Sequence, residues 1–128
     1  MKIEHTAYQV EDPVAAAEWY CTNLGMVLKR AHKDRPFVRF LADDAGAVML
    51  EFYNHPKATL PDYRNQDPLI AHIAFKCDDL SGTRDRLIAA GATLAADIAT
   101  TADGDELVML RDPWGLPIQF VKRVDPMI

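Results

Sequence analysis

The chain has only two cysteines, Cys21 and Cys77, and neither belongs to a CxxC pair or a zinc-knuckle spacing. A disulfide framework or a thiolate metal knuckle therefore has no basis here, and two reduced, partly buried thiols are expected. Neither thiol has an evident activating partner beside it, as a cysteine nucleophile would need. No apolar run approaches the roughly 18 residues that span a bilayer. The opening MKIEHTAYQVED lacks the apolar core of a signal peptide, so a cytoplasmic location is expected. Positive charge is in short supply, with 14 Lys and Arg against 19 Asp and Glu and a formal net charge of -5. That balance disfavours nucleic acid and anionic membrane, which both want a basic face, and leaves a small molecule as the expected partner.

What remains is one domain's worth of chain, 128 residues, and it is written twice. Residues 3–12 read IEHTAYQVED and residues 70–79 read IAHIAFKCDD. At one offset Ile3 matches Ile70, His5 matches His72, Ala7 matches Ala74, Tyr8 matches Phe75 and Asp12 matches Asp79. Each run alternates apolar and polar residues, the period of a half-buried strand. A helix follows each. The first runs from Pro13 to Leu24, capped by Asp12 and stopped by Gly25; the second runs from about Leu80 to Ala90, capped by Asp79 or Ser81 and stopped by Gly91. Three strand-like runs then close each half: Met26–Ala31, Pro36–Ala42 and Ala47–Tyr53, then Thr93–Ala96 (short and weak), Glu106–Arg111 and Pro117–Arg123. The expected architecture is α+β, two βαβββ modules at about 1–53 and 69–124 within a single domain. The polar, proline-rich segment 54–68 joins them as a linker or functional loop.

Two phrases carry a family resemblance: Trp19-Tyr20-Cys21-Thr22-Asn23-Leu24-Gly25-Met26 at the first helix exit, and Asp112-Pro113-Trp114-Gly115-Leu116-Pro117-Ile118-Gln119-Phe120 near the end. With the duplicated βαβββ order, they resemble the vicinal-oxygen-chelate superfamily, the glyoxalase/bleomycin-resistance/extradiol-dioxygenase group. The resemblance implies sheets curled into a cup, with metal ligands on the first and last strand of each module. Carried over, those positions are His5, Glu51, His72 and Gln119, for a divalent transition metal (Ni, Zn, Fe, Mn or Co). Glu51 follows His5 by 46 residues and Gln119 follows His72 by 47, and Leu50-Glu51-Phe52 matches Ile118-Gln119-Phe120. If the apolar neighbours pack against the helices, Glu51 and Gln119 face the other side of the sheet.

The resemblance implies Lewis-acid polarisation of a small oxygen-chelating substrate, with Glu51 as base, in a glyoxalase-like lyase or isomerase. Gln119 departs from the pattern, because similar metal-dependent members carry glutamate there, and an amide neither bears charge nor takes a proton. Gln9 stands where glyoxalase I would offer an arginine to the carboxylates of glutathione. Two other readings stay open. One is a non-haem Fe(II) ring-cleaving dioxygenase, whose carboxylate would belong on the final strand. The other is a metal-free small-molecule or drug-binding resistance protein. A homodimer is implied, the modules pairing within one chain or across two. Asn54, His55, Tyr63 and Arg64 could rim the site or form an ordinary loop. Lys29, Arg30, His32, Lys33 and Arg35 read as a solvated basic edge, and one of Trp19 and Tyr20 as core.

Overall fold

The computed structural model describes residues 1–127. Their backbone divides into two compact units, Met1–Pro61 and Asp62–Ile128 by chain position, with the boundary inside the 54–68 segment.

The first unit is built from β1 (His5–Gln9), α1 (Pro13–Leu24), β2 (Val27–Ala31), β3 (Arg39–Ala42) and β4 (Met49–Tyr53). Helix α1 starts where expected: the Asp12 carboxylate accepts from the Val14 and Ala15 amides, both at 3.0 Å, and Pro13 fills the first turn. It ends at Gly25, whose φ of 70° takes the left-handed conformation that spares an L side chain its steric penalty. The strands form one sheet in the order β1-β4-β3-β2, with β1 and β4 parallel. Strand β3 begins three residues later than expected. Phe37 has φ 56° and its amide bonds to Asp34 O at 2.8 Å, so the residues after Pro36 turn before they extend. The core lies between α1 and the sheet. Tyr20 and Phe52 are both fully buried, with ring centroids 4.8 Å apart. Tyr20 is thus the core member of the Trp19–Tyr20 pair.

The second unit repeats the plan with β5 (Ile73–Lys76), α2 (Leu80–Ala89), β6 (Thr93–Thr100), β7 (Glu106–Arg111) and β8 (Pro117–Lys122), in the sheet order β5-β8-β7-β6. Asp79 caps α2 by accepting from the Gly82 amide at 2.9 Å. Its core gathers Leu87, Val108, Leu110 and Ile118, all fully buried. Strand β6 runs eight residues rather than four. Its register against β7 shifts twice, so its side chains do not alternate as a regular strand's would. No described helix is long and apolar enough to cross a membrane.

Candidate functional site

Strand register decides what shares a face in the first unit. Ala7, Glu51, Phe40 and Arg30 are direct partners across β1, β4, β3 and β2, so they point to one side. Phe52, the next residue after Glu51, packs on Tyr20 of α1, so Glu51 points away from the helix, as its flanking residues imply. His5 lies two residues from Ala7 and joins the same face. Its Nε2 stands 3.3 Å from Glu51 Oε2, and its ring sits edge-on to Phe40 with centroids 5.4 Å apart. Two of the four expected ligand positions are therefore in contact.

The protonation of this pair follows from its hydrogen bonds. His5 Nδ1 bonds to the Glu4 carboxylate, which can only accept, so Nδ1 carries a proton. On a neutral ring Nε2 then offers a lone pair to a carboxylate oxygen that also offers one. A second proton relieves the clash, and the His5 pKa is accordingly raised, first by the bond to Glu4, with the Glu4 and Glu51 charges adding and partial desolvation opposing. A cation relieves it equally well. Cis ligands at about 2.1 Å from one ion lie about 3.0–3.4 Å apart, and the observed spacing falls in that interval. A His ligand whose other nitrogen donates to a carboxylate is also the usual outer-shell arrangement of a metal site.

In the second unit Gln119 pairs with Ala74 and Met109, between the buried Ile118 and Phe120. His72 is not within the strand, as the repeat suggested, but one residue before it. The 67–70 turn takes up the local backbone, with Leu69 N on Asp67 Oδ1 at 2.9 Å and Ile70 N on Asp67 O at 3.0 Å. His72 Nδ1 donates to Pro68 O at 3.0 Å, which leaves Nε2 free as a donor of electrons. Among the described residues no group of three His, Cys, Asp or Glu side chains is placed to hold a metal ion. Two of the expected positions lie in each unit.

Several expected rim residues have structural work. Gln9 is buried, and its amide is spent on a loop: Nε2 donates to His55 O and Ala58 O, and Oε1 accepts from the His55 amide at 2.8 Å. Asn54 donates to Val10 O and Glu11 O and accepts from Arg35. His55 Nδ1 accepts from the Lys57 amide at 3.2 Å. Arg64 donates to Pro113 O, and Tyr63 O accepts from Arg111. Arg111 went unnoticed in the sequence, where a strand-end arginine looks like any solvated cation. Both cysteines are free and half-buried. Burial pushes the Cys21 thiol up, against a weaker opposing backbone bond from Leu28, the reverse of what a nucleophile needs. Cys21 lines a groove of about 390 Å³ with Val14, Leu28 and Arg39. That groove opens on the helix side of the sheet, because Leu28 and Arg39 register with Leu41 and Phe52.

The sequence profile of the Glyoxalase/Bleomycin resistance protein/Dioxygenase superfamily matches residues 2–120. A probable lactoylglutathione lyase of Vibrio parahaemolyticus is 27% identical over 128 aligned residues, covering 94% of this chain and 90% of the relative. Among solved structures, a glyoxalase I mutant from Zea mays superposes with a TM-score of 0.76 at 19% identity, covering 97% of this chain but 46% of the maize chain. TnmS3, an antibiotic binding protein from a Streptomyces species, superposes at 0.71 and 16% identity, with 95% of each chain covered. At such identities the two structures show the fold alone. The profile match spans nearly the whole chain and both βαβββ units, and this protein belongs to the Glyoxalase/Bleomycin resistance protein/Dioxygenase superfamily.

Proposed function

We propose that this protein is a glyoxalase-like, metal-dependent lyase or isomerase acting on a small oxygen-chelating substrate such as a hydroxy-carbonyl compound. The observation that carries the reading is the His5 Nε2–Glu51 Oε2 approach at 3.3 Å, with His5 Nδ1 already committed to Glu4. A divalent transition ion would be held by His5, Glu51, His72 and Gln119, supplied by one chain or by two. When bound, such an ion polarises a substrate carbonyl as a Lewis acid. Glu51 is the one carboxylate among the four positions. It takes a proton from the carbon beside the carbonyl and returns it to the neighbouring carbon, so the reaction is an internal proton shift with no external oxidant. Phe40, edge-on to His5, offers the substrate an apolar wall.

The curated Vibrio relative supports this class of chemistry through its name. Glutathione as the thiol is a separate matter, since the Gln9 amide is fully engaged with the 55–58 loop and presents no cation to a peptide carboxylate. A homodimer is part of the proposal. Ile3, Leu69 and Ile70, at 66–78% exposure, supply apolar surface that an assembly would cover. A second reading, a metal-free small-molecule binder, draws support from the neutral Gln119 and from the fold shared with an antibiotic binding protein.

Elemental mass spectrometry on chelator-free protein separates the two. The proposal expects a near-stoichiometric transition metal that is lost when His5→Ala and His72→Ala are combined. If the chain stays metal-free after reconstitution with Ni, Zn, Co, Fe and Mn in turn, the enzyme reading falls and the binder takes its place.

A further inference from the structure

The Asp112–Gly115 turn does more than reverse the chain. The buried Asp112 carboxylate accepts from the Trp114 and Leu116 amides, both at 2.9 Å, which makes the turn rigid. Residues 62–68 run directly against it. A Cβ on Gly115, which has φ 98°, would meet Arg64 N at 2.9 Å and Arg64 Cα at 3.1 Å, so only glycine lets the two backbones approach this closely. Arg64 Nη2 donates to Pro113 O at 2.5 Å. From the last residue of β7, Arg111 closes the clamp. Nη1 donates to Tyr63 O at 2.5 Å and Nη2 to Gln66 O at 2.7 Å. A planar fork can bridge two carbonyls at once; an ammonium cannot hold both in fixed geometry. Two residues past Gln66, the carbonyl of Pro68 receives His72 Nδ1 at 3.0 Å.

We propose that Arg111 is a positioning residue for His72: it docks the 62–68 strap on the turn entering β8, and the docked strap holds His72 in the Nδ1–H tautomer with Nε2 free. A free imidazole exchanges between two tautomers, and only the one with a bare Nε2 can ligate through that atom. The strap makes that choice before any ion arrives. The role in metal binding rests on the function proposed above; the choice of tautomer does not.

The test uses the full-length, metal-free chain at pH 8, where imidazole is neutral, with nitrogen-resolved NMR of the histidine rings. The wild type is expected to show His72 protonated at Nδ1 and bare at Nε2. Arg111→Gln is expected to give a mixture of tautomers, and Arg111→Lys a partial return. Gly115→Ala pushes the strap away while keeping the Arg111 side chain and is expected to give the same mixture; it carries the test if Arg111→Gln loses its fold. Retained amide protection across β7 and β8 separates strap release from unfolding. A second readout is zinc affinity by competition titration, expected to weaken about tenfold in Arg111→Gln, the lower end of outer-shell effects. An unchanged His72 signature in Arg111→Gln and Gly115→Ala overturns the proposal. If the wild type binds no zinc, the metal reading of His72 fails, and the ring signatures alone decide whether the strap sets the tautomer.

Discussion

Gln119→Glu is the substitution that most directly asks whether the second unit faces a metal. Gln119 is flanked by the buried Ile118 and Phe120, and its register partners are Ala74 and Met109, the latter buried. No cation stands in that row, so a new carboxylate there would be half-desolvated and unpaired. The cost in the metal-free protein is about 1–2 kcal/mol. For a chain of this length that lowers the melting temperature by about 3–8 °C. A bound divalent ion reverses the sign. Exchanging a neutral carbonyl for a carboxylate ligand strengthens binding by about tenfold or more, worth about 1.4 kcal/mol at a fixed saturating ion concentration. The variant should therefore melt lower than wild type in chelator, and its metal-induced rise should exceed the wild-type rise by about 3–5 °C. Differential scanning calorimetry with chelator, zinc or nickel reads both quantities. A lower chelator melting point with no larger metal-induced rise would show that position 119 does not face a bound ion, and the ligand set would lose that member.

Three further outcomes check the framework around the site. Phe52→Ala removes a fully buried ring stacked edge-on against Tyr20 and should cost about 3–5 kcal/mol in urea denaturation; a loss under 1 kcal/mol would mean that α1 is not seated on this sheet as described. Gln9→Leu removes the side chain that donates to His55 O and Ala58 O and accepts from the His55 N–H, so hydrogen exchange at the His55 amide should accelerate at least tenfold while α1 amides stay protected; unaltered exchange at His55 would remove Gln9 as the loop's anchor. Asp105 is held below its ordinary carboxylate range by Arg123 and then by the Val124 amide. A depressed folded value contributes stability above the unfolded carboxylate pKa and loses it as pH falls through the folded value. Asp105→Asn should accordingly be less stable than wild type at pH 7, with the gap closing below about pH 4, and a gap that stays constant down to pH 2 would refute the coupling.

The sequence was most legible where local chemistry and pattern agreed. Asp12 before Pro13 and Gly25 after Leu24 mark α1 because caps are written in single residues. Leu50-Glu51-Phe52 gave the facing of Glu51 because a strand's period leaves one polar residue no other side. Legibility failed where tertiary contacts override pattern. Residues 36–38 are an apolar Pro-Phe-Val run that reads as the start of the strand, yet Phe37 sits in a left-handed turn. The repeat made His72 look like His5, but Asp67 organises a turn that delays β5 by one residue. Asn54, His55 and Arg64 read equally well as rim residues or as ordinary loop, because nothing local shows that a polar loop side chain is already taken. Arg111 was invisible for the same reason, since two of its three carbonyl partners lie 48 and 45 residues away in sequence.

The two units share a backbone plan but divide the donor chemistry unequally. In the first, His5 leans on a carboxylate, Glu4, and faces another, Glu51. In the second, His72 leans on a neutral carbonyl, Pro68, and the position matching Glu51 is the uncharged Gln119. In the proposed ligand set all the negative charge would come from the first module, while the second would add two neutral donors, one of which, His72, bonds to the strap. Charge dominates how tightly a hard ion binds, and rigidity of neutral ligands governs which ion and geometry are accepted. Substitutions at Glu4 or Glu51 should thus act on affinity across every divalent metal alike. Substitutions at Arg111 or Gly115 should act unevenly, reordering the preference among zinc, nickel and cobalt. A duplicated fold that had kept identical donors could not separate these two controls.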